Sequence, residues 1–159
     1  MIYFIDLDNT LANFKYSFDI DKNYKKEGYF KNLKPLWLNV LFINKLRKTT
    51  KVVVLSKCPH DRARQEKLQW LEQYLPGIES LIILESQDKF TEAFKKYGDI
   101  VYESILFDDY SKEIQAWKGV AVKVEYDPTR PTLKTAYESV LLNKKEVKKN
   151  GSRFKQNLQ

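Results

Sequence analysis

Five short apolar runs, Ile2 to Ile5, Val52 to Leu55, Leu81 to Leu84, Ile105 to Phe107 and Val120 to Val124, are separated by stretches whose apolar residues recur at helical spacing. A run this short and without polar alternation is apolar on both faces, the pattern of a parallel strand covered on each side by helices. Parallel neighbours need crossovers, and these are right-handed. The rhythm therefore predicts an α/β fold: a doubly wound, Rossmann-like parallel sheet of about five strands. Helices are expected over Pro35 to Lys48, with Leu38, Leu41, Phe42 and Leu46 on one stripe, and over Arg62 to Leu75, with Leu68, Leu71 and Leu75. Pro76-Gly77 ends the second. A third is expected from Asp88 to Tyr97, stopping at Gly98, a short one after Ser111, and another from Leu133 to Leu142.

Residues 14–34 break this rhythm. They carry Phe14, Tyr16, Phe18, Tyr24, Tyr29 and Phe30 among lysines and show neither strand nor helix period, so they are expected to form a small cap inserted after the first strand. Residues 1–143 then make one domain, a size able to bury roughly 68–70% of its unfolded surface. The net charge of +7 is concentrated at the end of the chain, where "KKEVKKNGSRFKQNLQ", residues 144–159, reads as a flexible basic tail on a nearly neutral body. Such a tail offers weak contact to nucleic acid. The single cysteine, Cys58, excludes an internal disulfide, and "MIYFIDLDNTL" has neither the basic segment nor the long apolar stretch of a signal peptide. No run approaches the ~20 apolar residues of a membrane span. A cytoplasmic setting is expected.

Three predicted strands end in polar chemistry: the first in Asp6-Leu7-Asp8, the second in Ser56-Lys57, the fourth in Asp108-Asp109. In an open parallel sheet these ends share one edge, where ligands bind. Two carboxylates about 4 Å apart repel by ~1 kcal/mol in water and ~4 kcal/mol at an effective dielectric near 20. Several together call for a cation, and oxygen ligands of this kind suit Mg²⁺.

Asp6-Leu7-Asp8-Asn9-Thr10-Leu11 after strand one, Ser56 after strand two, a lysine after strand three and Asp108-Asp109 after strand four resemble the haloacid dehalogenase superfamily of phosphohydrolases. Within it, "DLDNTLANF", "LSKCP", "KLQWL", "SQDK" and "ILFDD" are similar to the 5'(3')-deoxyribonucleotidase-like group. The resemblance implies that Asp6 is the nucleophile, forming an aspartyl phosphate, and that Asp8 is the general acid and base. It implies a Mg²⁺ ion held by Asp6, Asp108 and the backbone carbonyl of Asp8, with Asp109 orienting or binding through water. Ser56, Asn9, Thr10 and backbone N–H groups of the first loop would meet the phosphate. Lys89 fits the phosphate lysine of the group best; Lys57, beside Ser56, and Lys67, in "KLQWL", are the other candidates. Where the group more often shows Thr followed by a small residue, this chain has Ser56-Lys57.

The implied function is a Mg²⁺-dependent phosphomonoesterase acting on (deoxy)nucleoside monophosphates. Two alternatives stand beside it: a 3'-phosphatase of DNA or RNA ends gripped by the basic tail, and a non-catalytic phosphate- or partner-binding module. A response-regulator receiver would place its phosphorylated Asp after the third strand, which here ends in "LILES". Phe14, Tyr16 and Phe18 are expected to pack the cap and meet the substrate. Asp109 taken alone would cap the next helix, Cys58 reads as a small buried hydrophobe, and His60 as a residue at the start of a helix. Trp37, Trp70 and Trp117 are expected in the core.

Overall fold

The computed structural model describes residues 1–14 and 25–143. Its five parallel strands are β1 (Ile2–Ile5), β2 (Lys51–Cys58), β3 (Glu79–Leu84), β4 (Ile105–Asp108) and β5 (Val120–Lys123). They lie in the order β3-β2-β1-β4-β5. The chain steps outward from β1 to β3, then returns to β1's other side for β4, so the strand order reverses between β1 and β4. Their ends are in register, with Ile5 opposite both Val54 and Phe107. The helices are α1 (Trp37–Leu46), α2 (Asp61–Tyr74), α3 (Lys89–Tyr97) and α4 (Ser111–Ala116), with a 3-10 segment over Gly98–Glu103 and a last helix, α5, over 132–143.

Alternation along each strand sends side chains to two cores. Tyr3, Ile5, Val52 and Val54 pack against Val40 and Ile43 of α1, Trp70 and Leu71 of α2, and Leu133 and Val140 of α5. Ile2, Phe4, Val53 and Leu55 face the opposite way, onto Phe90 and Ala93 of α3, Val101 and Trp117. Helices thus cover both faces, as the apolar runs require.

Three sequence expectations shift. The stripe on α1 is Asn39, Val40, Ile43 and Leu46, while Leu38, Leu41 and Trp37 face solvent, Trp37 edge-on to Tyr74. On α2 the buried face is Ala63, Glu66, Lys67, Trp70 and Leu71, leaving Leu68 partly exposed. Strand β2 runs three residues past Leu55, so Ser56 and Lys57 lie inside it rather than after it. Trp70 and Trp117 are buried as expected. Cys58 is buried with its thiol on the Ile83 carbonyl, and His60 caps α2, its Nδ1 accepting the Ala63 N–H at 3.1 Å. Three of the six cap aromatics, Tyr16, Phe18 and Tyr24, and the basic tail lie outside the described residues.

Candidate active site

The loop after β1 is tightly self-bonded. The N–H groups of Leu11 and Ala12 both donate to the Leu7 carbonyl at 2.8 Å, and Asn9 N–H donates to the Ala12 carbonyl at 2.7 Å. Asn9 sits in the left-handed region at φ 55°, which asparagine tolerates better than most residues. That turn directs its Nδ2 to Asp109 Oδ2 at 3.1 Å. From behind, the buried Asn39 of α1 donates to the Thr10 carbonyl at 2.9 Å and accepts the Leu133 N–H at 3.1 Å. The loop is therefore clamped between α1 and the start of α5.

Above it opens a cavity of about 650 Å³. Asp6, Asp8, Asn9, Lys57, Lys89, Asp108, Asp109 and Phe14 all line it, together with Lys67. Asp6, Asp108 and Asp109 each present a carboxylate oxygen within 4.8 Å of the others. Lys89, entering from the first residue of α3, donates to Asp6 Oδ1 and to Asp108 Oδ2, both at 2.6 Å. Lys67, reaching up from the buried face of α2, donates to Asp8 Oδ2 at 2.5 Å, to the Lys57 carbonyl at 2.6 Å and to Ser56 Oγ at 3.1 Å. Lys89 and Lys67 thus serve different acids. Lys57 pairs with Glu113 at 2.7 Å at the rim. Ser56 and Thr10 are fully buried and do not line the cavity; Thr10 Oγ1 has no hydrogen-bond partner among the described residues. Asp109 does not cap α4, whose N-cap is Tyr110 without a side-chain bond.

Burial, with Asp6 nearby, raises three of these acids. Burial pushes Asp8 above the usual carboxylate range, opposed by Lys67 and reinforced by Asp6. Burial and then Asp6 push Asp108 up to about 7, against the pull of Lys89. Asp109 is raised to about 6 by burial and Asp6 despite the Asn9 hydrogen bond. Burial pulls Lys89 down, but the Asp6 and Asp108 carboxylates outweigh it and hold its ammonium well above the ordinary lysine value. Carboxylates raised in this way leave room in the charge balance of the site for a divalent cation beside Lys89. The donor set is hard oxygen throughout, and Asp8 Oδ1 is buried with no hydrogen-bond partner among the described residues; these features fit Mg²⁺.

Phe14 and Phe30 give the same cavity an aromatic wall. Phe30 stacks on Phe14 at 6.2 Å and 14°, and Lys67 Nζ stands 5.0 Å from the Phe30 ring.

Residues 14–137 match the model of the family described as 5' nucleotidase, deoxy (pyrimidine), cytosolic type C protein. The chain belongs to that family. The match, to a group of phosphoric monoester hydrolases within the haloacid dehalogenase superfamily, begins after Asp6 and Asp8, so the first loop is independent support for it. No curated protein matches the chain. Among solved structures, a chain of the "Pnkp1/Rnl/Hen1 complex" superposes with a TM-score of 0.60 at 17% identity, covering 79% of this chain and 46% of that one. That likeness shows the fold, and this chain spans under half the length of that neighbour.

Glu66, Asn39 and Glu113 were not legible as functional positions. For Glu66 a signal exists: anchoring the α2 periodicity on Trp70 rather than on the leucines puts Ala63, Glu66, Lys67, Trp70 and Leu71 on one stripe, two of them charged and facing inward.

Proposed function

We propose that the chain is a Mg²⁺-dependent phosphomonoesterase that hydrolyses (deoxy)nucleoside monophosphates through an aspartyl phosphate on Asp6. The observation that carries this is the convergence of Asp6, Asp108 and Asp109 within 4.8 Å at the strand-order reversal, beside an Asp8 that burial pushes above the usual carboxylate range. The Asp6 carboxylate attacks phosphorus and the bond to the leaving alcohol breaks, while Asp8 gives its proton to that alcohol oxygen. Asp8 then takes a proton from water as the water oxygen attacks phosphorus, releasing phosphate and restoring Asp6. Lys89 orients Asp6 and offsets charge on the phosphoryl oxygens. Asp6, Asp108 and the Asp8 carbonyl would hold Mg²⁺, with Asp109 set by Asn9 beside them; bound there, the ion neutralises the acids and the phosphate. Ser56 meets Lys67 rather than the cavity, and Phe14 and Phe30 give an apolar face for a base. The cytosolic setting in the family's description suits this reading. Among the described residues no helix is long and apolar enough to cross a membrane.

The basic tail favours a second reading, a 3'-phosphatase of nucleic-acid ends. Against it, among the described residues the cavity is lined by six carboxylates and four lysines, a balance that does not favour a strand's other phosphates. A non-catalytic module is disfavoured by the intact Asp8. The deciding experiment is a panel of phosphate esters with and without Mg²⁺. Phosphate release from deoxynucleoside monophosphates is expected, lost with EDTA and in Asp6→Asn. A metal-loaded protein that hydrolyses neither nucleotides nor p-nitrophenyl phosphate ends the proposal.

A further inference from the structure

Glu66 is buried, 5% exposed, yet it touches neither the acids nor the cavity. Its Oε1 accepts the Gly28 N–H at 2.7 Å and its Oε2 the Phe30 N–H at 2.9 Å. Both oxygens of one carboxylate are thus spent on two amides of the turn that carries the aromatic wall. Gly28 lies at φ +82°, and an added Cβ there would crowd Asn32 at 3.0 Å, so the turn that aims these amides inward suits glycine. Four residues along the same stripe, Trp70 Nε1 donates to the Leu33 carbonyl at 2.8 Å, and Arg62, one turn earlier, donates to the Lys25 carbonyl. The next residue after Glu66 is Lys67, which holds Asp8.

We infer that Glu66 is a specificity-determining positioning residue: it fixes the Phe30 ring at a set place over the cavity, and α2 thereby ties the wall that meets the leaving group to the acid that protonates it. The inference rests on the nucleotidase reading and adds to it where leaving-group discrimination is built. A charged acceptor of two amides is hard to replace: in Glu66→Gln one amide would face an NH₂ donor instead of an oxygen. The turn then loosens and the ring moves, while Asp6, Asp108, Asp109 and Lys89, on other elements, stay in place. Small displacements of a positioning wall cost rate or affinity only for substrates that use it.

The test compares wild type, Glu66→Gln, Phe30→Leu and the double variant on a deoxynucleoside monophosphate and on glycerol 2-phosphate, which has no ring. In Glu66→Gln the nucleotide KM is expected to rise about tenfold, with kcat for glycerol 2-phosphate changed less than about threefold. In the Phe30→Leu background the Glu66 change should add nothing further. Amide hydrogen exchange supplies a readout free of catalysis: Gly28 and Phe30 should exchange at least about tenfold faster in Glu66→Gln. Equal losses on both esters, an additive double variant, or unchanged exchange at those two amides would overturn the inference while leaving the nucleotidase reading standing. A wild type that turns over neither ester would overturn both.

Discussion

Lys67→Met isolates what the Lys67–Asp8 pair contributes. Methionine keeps most of the stem's apolar packing but removes the charge and three hydrogen bonds, to Asp8, Ser56 and the Lys57 carbonyl. The Lys67 side chain is 1% exposed and that of Asp8 24%, so one end of the pair is dry and the other reaches the cavity. Breaking a buried pair typically costs about 3–5 kcal/mol. Because Asp8 can escape by binding a proton, the low end, about 3 kcal/mol, is expected at pH 8. For a chain of this length that is roughly a 6–12 °C fall in Tm. The loss depends on pH in a definite direction. Asp8 already sits above the usual carboxylate range, and removing a neighbouring cation raises it further. At pH 5.5 more of the wild-type Asp8 is protonated, so the pair is worth less and the fall should be smaller than at pH 8. Thermal unfolding of both proteins at the two pH values, without metal, measures this directly. A fall below about 2 °C at pH 8, or equal falls at both pH values, would refute the reasoning. In the same variant the alkaline limb of the kcat profile should move upward, since Asp8 holds its proton more tightly.

Metal and pH should oppose each other. Asp108 and Asp109, raised to about 7 and about 6, bind protons in the folded chain that they release on unfolding, so their stabilisation is complete below about pH 4 and is lost as pH climbs through 6 and 7. Metal-free Tm is expected to drop from pH 5 to pH 8, and Mg²⁺ to restore it at pH 8 far more than at pH 5, by ~2.7 kcal/mol at a hundred times its Kd; calorimetry across that range checks it. At Asn9, with φ 55°, Asn9→Ala should unfold at lower urea than Asn9→Gly by about 1 kcal/mol, because both lose the Asp109 bond but only alanine carries a Cβ into the left-handed region. Removing residues 144–159 should leave mononucleotide kinetics unchanged; a salt-dependent loss of activity confined to 3'-phosphorylated oligonucleotides would favour the strand-end reading.

The sheet was legible because five apolar runs admit few arrangements, and Asp6, Asp8, Asp108 and Asp109 were legible because strand ends in such a sheet share one edge. The phase of α1 and α2 was not. Leucine spacing pointed to Leu38, Leu41 and Leu68, whereas burial chose Asn39, Glu66 and Lys67. The reason is that a helix face is selected by what it meets: each of these polar side chains finds its hydrogen-bond partners on other elements, in the Thr10 carbonyl, the Gly28 and Phe30 amides, and Asp8. Local sequence by itself determined the strands, their order of polar endings and the chemistry of the acids, since those follow from apolarity and charge within a few residues. Only the tertiary structure decided which lysine serves which acid and which buried charge braces the aromatic wall, because those pairings join residues up to 83 positions apart through contacts that no local pattern encodes.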